Sequence, residues 1–152
     1  MNSIRELNRV LAFDYGLRQI GVAVGSTFMG TTQPLPILLA RDGVPSWTKV
    51  STLLTEWQPD HLLVGDPINM DGTPSVISLR ALKFARRLEG RFKIGVTLVD
   101  ERLTSFAVKH ERSSNTDQRQ SRGRGLDFKK DPVDSLAAEL ILKDWMNTRA
   151  SV

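Results

Sequence analysis

Short apolar runs separated by turn residues open the chain. Residues 10–13 (VLAF) and 20–24 (IGVAV) flank the polar stretch DYGLRQ, a pattern that predicts two strands joined by a tight turn. Residues 30–39 have strand composition, but Pro34 and Pro36 lack the N–H groups that ladder hydrogen bonds need, so this segment is predicted to be an edge strand. The three strands are joined too closely to pair in parallel, and we expect an antiparallel arrangement.

Helical and strand patterns alternate through the rest of the chain. Apolar residues spaced by three and four predict a helix that begins near Pro45 and ends before Pro59, a second helix, and a third that begins near Pro132. Their inner faces are Trp47, Val50, Leu54 and Trp57; then Ile77, Ala81, Phe84 and Leu88; then Val133, Leu136, Ala137, Leu140, Ile141 and Trp145. Residues 61–65 (HLLVG) and 94–99 (IGVTLV) are predicted to be strands. This alternation favours parallel pairing, so the fold is predicted to be α/β with a mixed sheet.

Length and composition narrow the class of protein. A chain of 152 residues suits one domain, predicted here to span residues 1–152. Because there is no cysteine, a disulfide framework and a thiolate metal site are excluded. No apolar run approaches the roughly 18 residues that a membrane span needs, and MNSIRELNRV lacks the apolar core of a signal peptide. We therefore expect a cytoplasmic protein with no membrane partner.

Positive charge is concentrated in one part of the sequence. Residues 80–130 contain 14 Lys and Arg against 6 Asp and Glu, whereas the remainder contains 7 against 11. A basic region suits a phosphate-rich partner such as nucleic acid, but it also suits a solvated surface, and charge alone leaves both interpretations open. Within this region, residues 113–130 (SSNTDQRQSRGRGLDFKK) have almost no aliphatic residues and are predicted to form a flexible basic loop.

Acidic residues follow the apolar runs of two predicted strands. In VTLVDERLTSFA, residues 96–107, Asp100 and Glu101 stand where the last strand ends, and Asp14 stands where the first one ends. Asp134 lies in the first turn of the last helix. Because parallel strands end at the same edge of a sheet, these carboxylates could converge there. Two carboxylates about 5 Å apart repel by roughly 3 kcal/mol at an effective dielectric of about 20, which favours a hard cation such as Mg²⁺ or Mn²⁺ between them.

Each acidic residue also has a structural interpretation. Asp14 could stabilise a turn, and Asp134 could be a favourable charge near a helix N-terminus. Asp100 and Glu101 could form a surface ion pair with Arg102 or cap the helix that follows. Only the joint pattern of acids favours a functional site.

Five sequence blocks resemble the YqgF family of bacterial RNase H-like nucleases, also described as Holliday junction resolvases or pre-16S rRNA nucleases. The blocks are LAFDYGLRQIGVAVG (11–25), TTQPLP (31–36), LLVGDPINMDGT (62–73), VDERLTS (99–105) and VDSLAAELIL (133–142). The resemblance implies an RNase H-like fold, with a five-stranded mixed sheet whose first three strands are antiparallel and which is flanked by helices. It also implies a hydrolase that processes the 5′ end of the small-subunit rRNA precursor in the cytoplasm.

The family's acidic site falls on Asp14, Glu101 and Asp134. The resemblance implies that these residues hold Mg²⁺ or Mn²⁺, which activates water for attack on a nucleic-acid phosphodiester. Glu101 is chosen over Asp100 because neighbours in a strand point to opposite faces of the sheet. Contacts to the nucleic acid are expected from four arginines: Arg18, Arg102, Arg122 and Arg124. Two further acids, Asp66 in VGDP and Asp131, depart from or extend the family pattern, and their roles stay open.

Two other classes of function compete with the nuclease hypothesis. FDYGLRQIGVAVG could be the phosphate-binding turn of an actin-type ATPase, although such proteins close two lobes around the nucleotide and 152 residues build only one. The chain could also be a nucleic-acid-binding module without catalysis. Within the nuclease hypothesis, structured RNA and branched DNA are both possible substrates.

Overall fold

The computed structural model describes residues 8–101 and 135–151. The predicted flexible loop at 113–130 lies outside these residues, and the assignment of residues 1–152 to a single domain stays a prediction. In chain order the described elements are β1 (Arg9–Asp14), β2 (Gln19–Ser26), β3 (Thr31–Arg41), β4 (Val44–Pro45), α1 (Trp47–Trp57), β5 (His61–Asp66), α2 (Val76–Phe92), β6 (Val96–Asp100) and α3 (Leu136–Ser151). None of the described helices is both long enough and apolar enough to cross a membrane.

One mixed sheet organises the described residues. Its strand order is β4-β3-β2-β1-β5-β6. The strands β1, β2 and β3 pair antiparallel, whereas β1 with β5 and β5 with β6 pair in parallel. The predicted mixed α/β sheet with three antiparallel opening strands is therefore confirmed. The carboxyl ends of β1, β5 and β6 meet at one edge of the sheet, which we call the carboxyl edge.

The predicted number of strands was one too few. A two-residue strand, β4, pairs with the end of β3, so the described sheet has six strands and β3 is an edge strand over only part of its length. Asp42 and Gly43 join the two strands with φ values of 52° and 83°, as a tight hairpin of type I′ requires. Pro45 therefore belongs to β4 and does not begin α1. That helix is capped by Ser46, whose hydroxyl accepts a hydrogen bond from the Lys49 N–H at 3.3 Å.

Each face of the sheet carries its own hydrophobic cluster. On one face, α1 and α2 cover residues that include Leu11, Phe13, Leu62 and Val64. On the other face, α3 covers Val10, Ala12, Ala23 and Leu63. Successive residues of β1 and β5 alternate between the two clusters, as strand geometry requires. The side of the sheet that a strand residue faces can therefore be read from its position along the strand.

Helix α3 confirms the predicted final helix but not all of its predicted inner face. Ala137 and Ile141 are buried as expected, whereas Leu136 is 38% exposed. Ala138 and Leu142 are buried in its place. Leucines flank Ala137 and Ile141 on the helix surface in both directions, at positions 136, 140 and 142. The spacing of apolar residues therefore could not show which of these leucines face the sheet.

The hydroxyl of Ser135 joins the start of α3 to an irregularity in the sheet. The pairs Ile20–Leu38 and Val22–Leu35 leave β3 with one more residue than β2, which is a β-bulge. Beside this bulge, Ser135 Oγ donates to the Leu35 carbonyl at 2.6 Å and accepts from the Val22 N–H at 3.1 Å. Ser135 is fully buried, so these bonds satisfy polar groups that water does not reach.

Candidate active site

Asp14 ends β1 at the carboxyl edge. It pairs with Gly21 of β2 and is half-buried. Val10 and Ala12 belong to the cluster under α3, so strand alternation directs Asp14 to the same face of the sheet. The acid predicted from the first strand is therefore at the carboxyl edge, on the side of α3.

Glu101 follows β6 and is nearly inaccessible to solvent, with 4% of its surface exposed. Its carboxyl group lies over Gly65, near the end of β5. A Cβ atom placed on Gly65 would lie 3.0 Å from Glu101 Cδ and 2.6 Å from Ile141 Cδ1. Because Ile141 belongs to α3, Glu101 lies on the α3 face, and the missing side chain at position 65 makes room for its carboxylate.

The strand register brings Asp14 and Glu101 to the same place. In the parallel pair of β1 and β5, Phe13 is opposite Val64. Asp14 and Gly65 are the next residues along these two strands, and adjacent strands lie about 4.8 Å apart. The two carboxylates thus stand over neighbouring strands, at one edge and on one face of the sheet.

Asp66 and Asp100 face the other side of the sheet. They are opposite each other in β5 and β6, and Asp66 follows the alternation of Leu62 and Val64, which face α2. The Ser78 hydroxyl in α2 donates to Asp66 Oδ1 at 2.6 Å, so Asp66 helps to hold α2 on the sheet. The position of Asp100 supports the choice of Glu101 as the ligand, which itself stays a prediction.

Four predicted site residues lie outside the described part of the chain, and so does Asp131, whose role stayed open: they are Asp134, Arg102, Arg122 and Arg124. Within residues 8–101 and 135–151, no group of three or more His, Cys, Asp or Glu side chains could hold a metal ion. Arg18 is described, and it is exposed in the turn between β1 and β2, at the carboxyl edge. Of the predicted carboxylate triad, the structure therefore brings together Asp14 and Glu101.

Oxygen donors at this site fit a hard divalent cation. Carboxylates on one face at one edge of a sheet repel each other where they approach, and a cation between them relieves that repulsion. The absence of a Cβ at Gly65 leaves room for the buried carboxylate of Glu101. Sequence reasoning missed this contribution of Gly65, although a glycine inside an apolar strand is a known signal for close approach of another group.

The chain is similar to known proteins over nearly its whole length. The family model described as "RuvX: Holliday junction resolvase" matches residues 8–148. A candidate pre-16S rRNA nuclease of Pseudomonas putida is 50% identical over 141 residues, which cover 93% of this chain and 96% of the relative. Its counterpart in Pseudomonas aeruginosa strain LESB58 is 49% identical over 146 residues and covers 96% of each chain.

A solved structure supports the fold. RuvC of T. thermophilus, in complex with a Holliday junction substrate, superimposes with a TM-score of 0.50 at 14% identity, over 94% of this chain and 96% of the other. The predicted RNase H-like fold is confirmed by this likeness. The resemblance noted between the sequence blocks and the YqgF family is also confirmed, and the chain belongs to the RuvX family of Holliday junction resolvases.

Proposed function

We propose that this protein is a metal-dependent nuclease that hydrolyses phosphodiester bonds in nucleic acid at the carboxyl edge. The observation that carries the proposal is the placement of two carboxylates from distant parts of the chain, Asp14 and Glu101, on one face of the sheet. Asp134, next in sequence to the anchored Ser135, is proposed as the third member of the site. The family match over residues 8–148 supports a hydrolase acting on phosphodiesters.

The metal is proposed to be Mg²⁺ or Mn²⁺, held by Asp14, Glu101 and Asp134. When bound, such a cation acts as a Lewis acid and lowers the pKa of coordinated water. The protein's own contribution is to fix the donors before the substrate arrives. Burial of Glu101 against Gly65 and Ile141 restricts the motion of its carboxylate. Pairing with β2 restricts the backbone of Asp14, which bears the other carboxylate.

The proposed substrate is the 5′ end of pre-16S rRNA, processed in the cytoplasm. This choice is supported by the name of the two relatives that are about half identical and cover nearly the whole chain. The description of the family favours branched DNA as the second candidate. Neither the names of these relatives nor the description of the family supports the alternative hypothesis of an actin-type ATPase.

Cleavage assays can test the proposal and distinguish the two substrates. A pre-16S rRNA fragment and a four-way DNA junction are each incubated with protein and Mg²⁺, Mn²⁺ or chelator. We expect cleavage by the wild type with metal, and losses of at least about 100-fold in Asp14→Asn, Glu101→Gln and Asp134→Asn, because a site that loses a metal ligand loses several kcal/mol of transition-state stabilisation.

The matched control is Asp100→Asn, which removes the neighbouring acid from the opposite face of the sheet. It should keep activity within a few fold. Loss of turnover in Asp100→Asn but not in Glu101→Gln would show that the wrong acid was chosen. If a clean wild-type preparation cleaved neither substrate with either metal, the chain would be a binding module without catalysis.

A further inference from the structure

A basic cavity lies on the opposite face of the sheet from the two carboxylates. Its volume is about 210 Å³, and its walls include Tyr15, Trp47, Arg80, Lys83, Phe84 and Arg87. We call it the α2 cavity, because helix α2 supplies its three cationic side chains.

The α2 cavity lies at the carboxyl edge, as the proposed active site does. Tyr15 follows Asp14 directly, belongs to the cluster on the α2 face, and its hydroxyl donates to the Gly43 carbonyl at 2.9 Å. Consecutive Cα atoms are about 3.8 Å apart, so the cavity, which Tyr15 lines, begins one residue from Asp14. A polymer that crosses the edge could therefore contact both faces of the sheet.

The charges of the cavity favour an anionic ligand. Arg80 is neutralised by Asp42, with its guanidinium 2.9 Å from the carboxylate and 3.1 Å from the carbonyl oxygen. Lys83 and Arg87 are exposed, and within residues 8–101 and 135–151 neither forms an ion pair. These two cations are four residues apart in α2, about 6 Å along the helix axis, and they point into the same opening.

The aromatic walls are already used within the protein. The Trp47 ring stacks on Phe84 at 6.0 Å and lies under the Arg91 guanidinium at 4.3 Å. Tyr15 packs against Phe84 at 5.2 Å. Among the described residues, two cations of the cavity have no ion-pair partner, whereas its aromatic rings are packed against other groups. This chemistry suits the phosphates of a nucleic acid better than its bases.

We propose that Lys83 and Arg87 in the α2 cavity bind the phosphodiester backbone of the nucleic acid whose cleavage is proposed at the carboxyl edge. The inference rests on that proposed function for the identity of the ligand. Neighbouring phosphates contact the two cations, outside the scissile position, and hold the strand across the edge independently of its base sequence.

Binding measurements on a cleavage-inactive protein test this surface. Fluorescence anisotropy is measured with Asp14→Asn protein and chelator, a labelled pre-16S rRNA fragment or four-way DNA junction, and salt between 50 and 200 mM. A second substitution in this protein, Lys83→Gln or Arg87→Gln, should weaken its affinity for the nucleic acid several-fold at low salt. Each should also make the slope of log affinity against log salt shallower by about 0.7 to 0.9, the value of one lost phosphate contact.

Arg86→Gln is the matched control, because Arg86 is an exposed arginine beside Arg87 that does not line the cavity. Its slope should equal that of the parent protein. Equal weakening by Arg86→Gln and Arg87→Gln would overturn the inference, since only the net charge of α2 would then matter. Unchanged binding in the double variant Lys83→Gln/Arg87→Gln would overturn it as well.

The same cavity variants in protein with an intact Asp14 separate the inference from the proposed function. In that background they should raise KM and leave metal-dependent turnover at saturating substrate within a few fold. Absence of wild-type cleavage, together with weaker binding by the cavity variants, would refute the nuclease and keep the phosphate-binding surface. Normal cleavage with unchanged KM would refute only the surface.

Discussion

At the scale of single residues, a missing side chain makes room for a carboxylate. Gly65 sits near the end of β5, and the position of its absent Cβ is only 3.0 Å from Glu101 Cδ. A strand interior normally disfavours glycine, because the residue loses backbone entropy and packs nothing. Its presence in β5 is explained by the buried Glu101 carboxyl group and by the close approach of α3.

Gly65→Ala should therefore damage the site. The added methyl group would contact Glu101 and Ile141 closely, so we expect cleavage to fall at least about 10-fold and the free energy of unfolding to fall by about 1–3 kcal/mol. Cleavage kinetics and urea denaturation measure the two effects.

Gly90→Ala is the control for this substitution. Gly90 is exposed in α2 with no atom within 4 Å of its Cβ position, and alanine there should keep activity and add up to about 1 kcal/mol of stability. A Gly65→Ala protein as active as the Gly90→Ala protein would contradict the close packing around Glu101.

The sequence placed Asp14 and Asp100 at strand ends, as the structure has them, but gave little information about their surroundings. Within the DER motif, alternation along β6 was the reason for preferring Glu101, and the structure places Asp100 on the face of α2 by the same alternation. The sequence did not predict that Gly65 makes room for the Glu101 carboxylate. It also did not predict that Lys83 and Arg87 line one cavity. Both depend on which helix covers which face of the sheet, and spacing along one segment carries no such information.

At the scale of secondary-structure elements, a single hydroxyl joins the start of α3 to two strands of the sheet. Ser135 bridges β2 and β3 at the β-bulge, immediately before the helix begins. The bulge leaves backbone groups without a regular ladder partner, and the buried Oγ satisfies one donor and one acceptor. The start of α3 is thereby held against the antiparallel strands.

Ser135→Ala should lower the free energy of unfolding by about 2 kcal/mol, because it leaves the Val22 N–H and the Leu35 carbonyl buried without this partner. Urea denaturation measures the change. Ser51→Ala, at an exposed position of α1, should change stability by less than about 0.5 kcal/mol. Equal stability of the two variants would mean that the hydroxyl bridge contributes little.

Elements with clear periodicity were predicted well. The buried Val50 and Leu54 of α1, and Ala81, Phe84 and Leu88 of α2, are the inner faces expected from their spacing. The short β4 was missed because two residues show no periodicity, although the Asp-Gly pair before it is a strong hairpin signal.

At the scale of the whole molecule, the proposed metal site and the α2 cavity lie on opposite faces of one sheet. Asp14 and Glu101 stand on the α3 face, and the cations of α2 stand on the other face, which also carries Asp66 and Asp100. The basic region at residues 80–130 suited either a phosphate-rich partner or a solvated surface, and charge alone did not choose between them. The proposed location at the carboxyl edge rests on topology, because parallel pairing of β1, β5 and β6 brings their carboxyl ends together.

Direct metal binding is the measurement that tests the central claim most closely. Mn²⁺ affinity is measured by electron paramagnetic resonance for the wild type, Asp14→Asn, Glu101→Gln and Asp100→Asn, without nucleic acid. We expect the first two variants to bind Mn²⁺ at least about 10-fold more weakly, because each loses a charged oxygen ligand, and Asp100→Asn to match the wild type. Wild-type affinity in both Asp14→Asn and Glu101→Gln would contradict a metal site at this edge of the sheet.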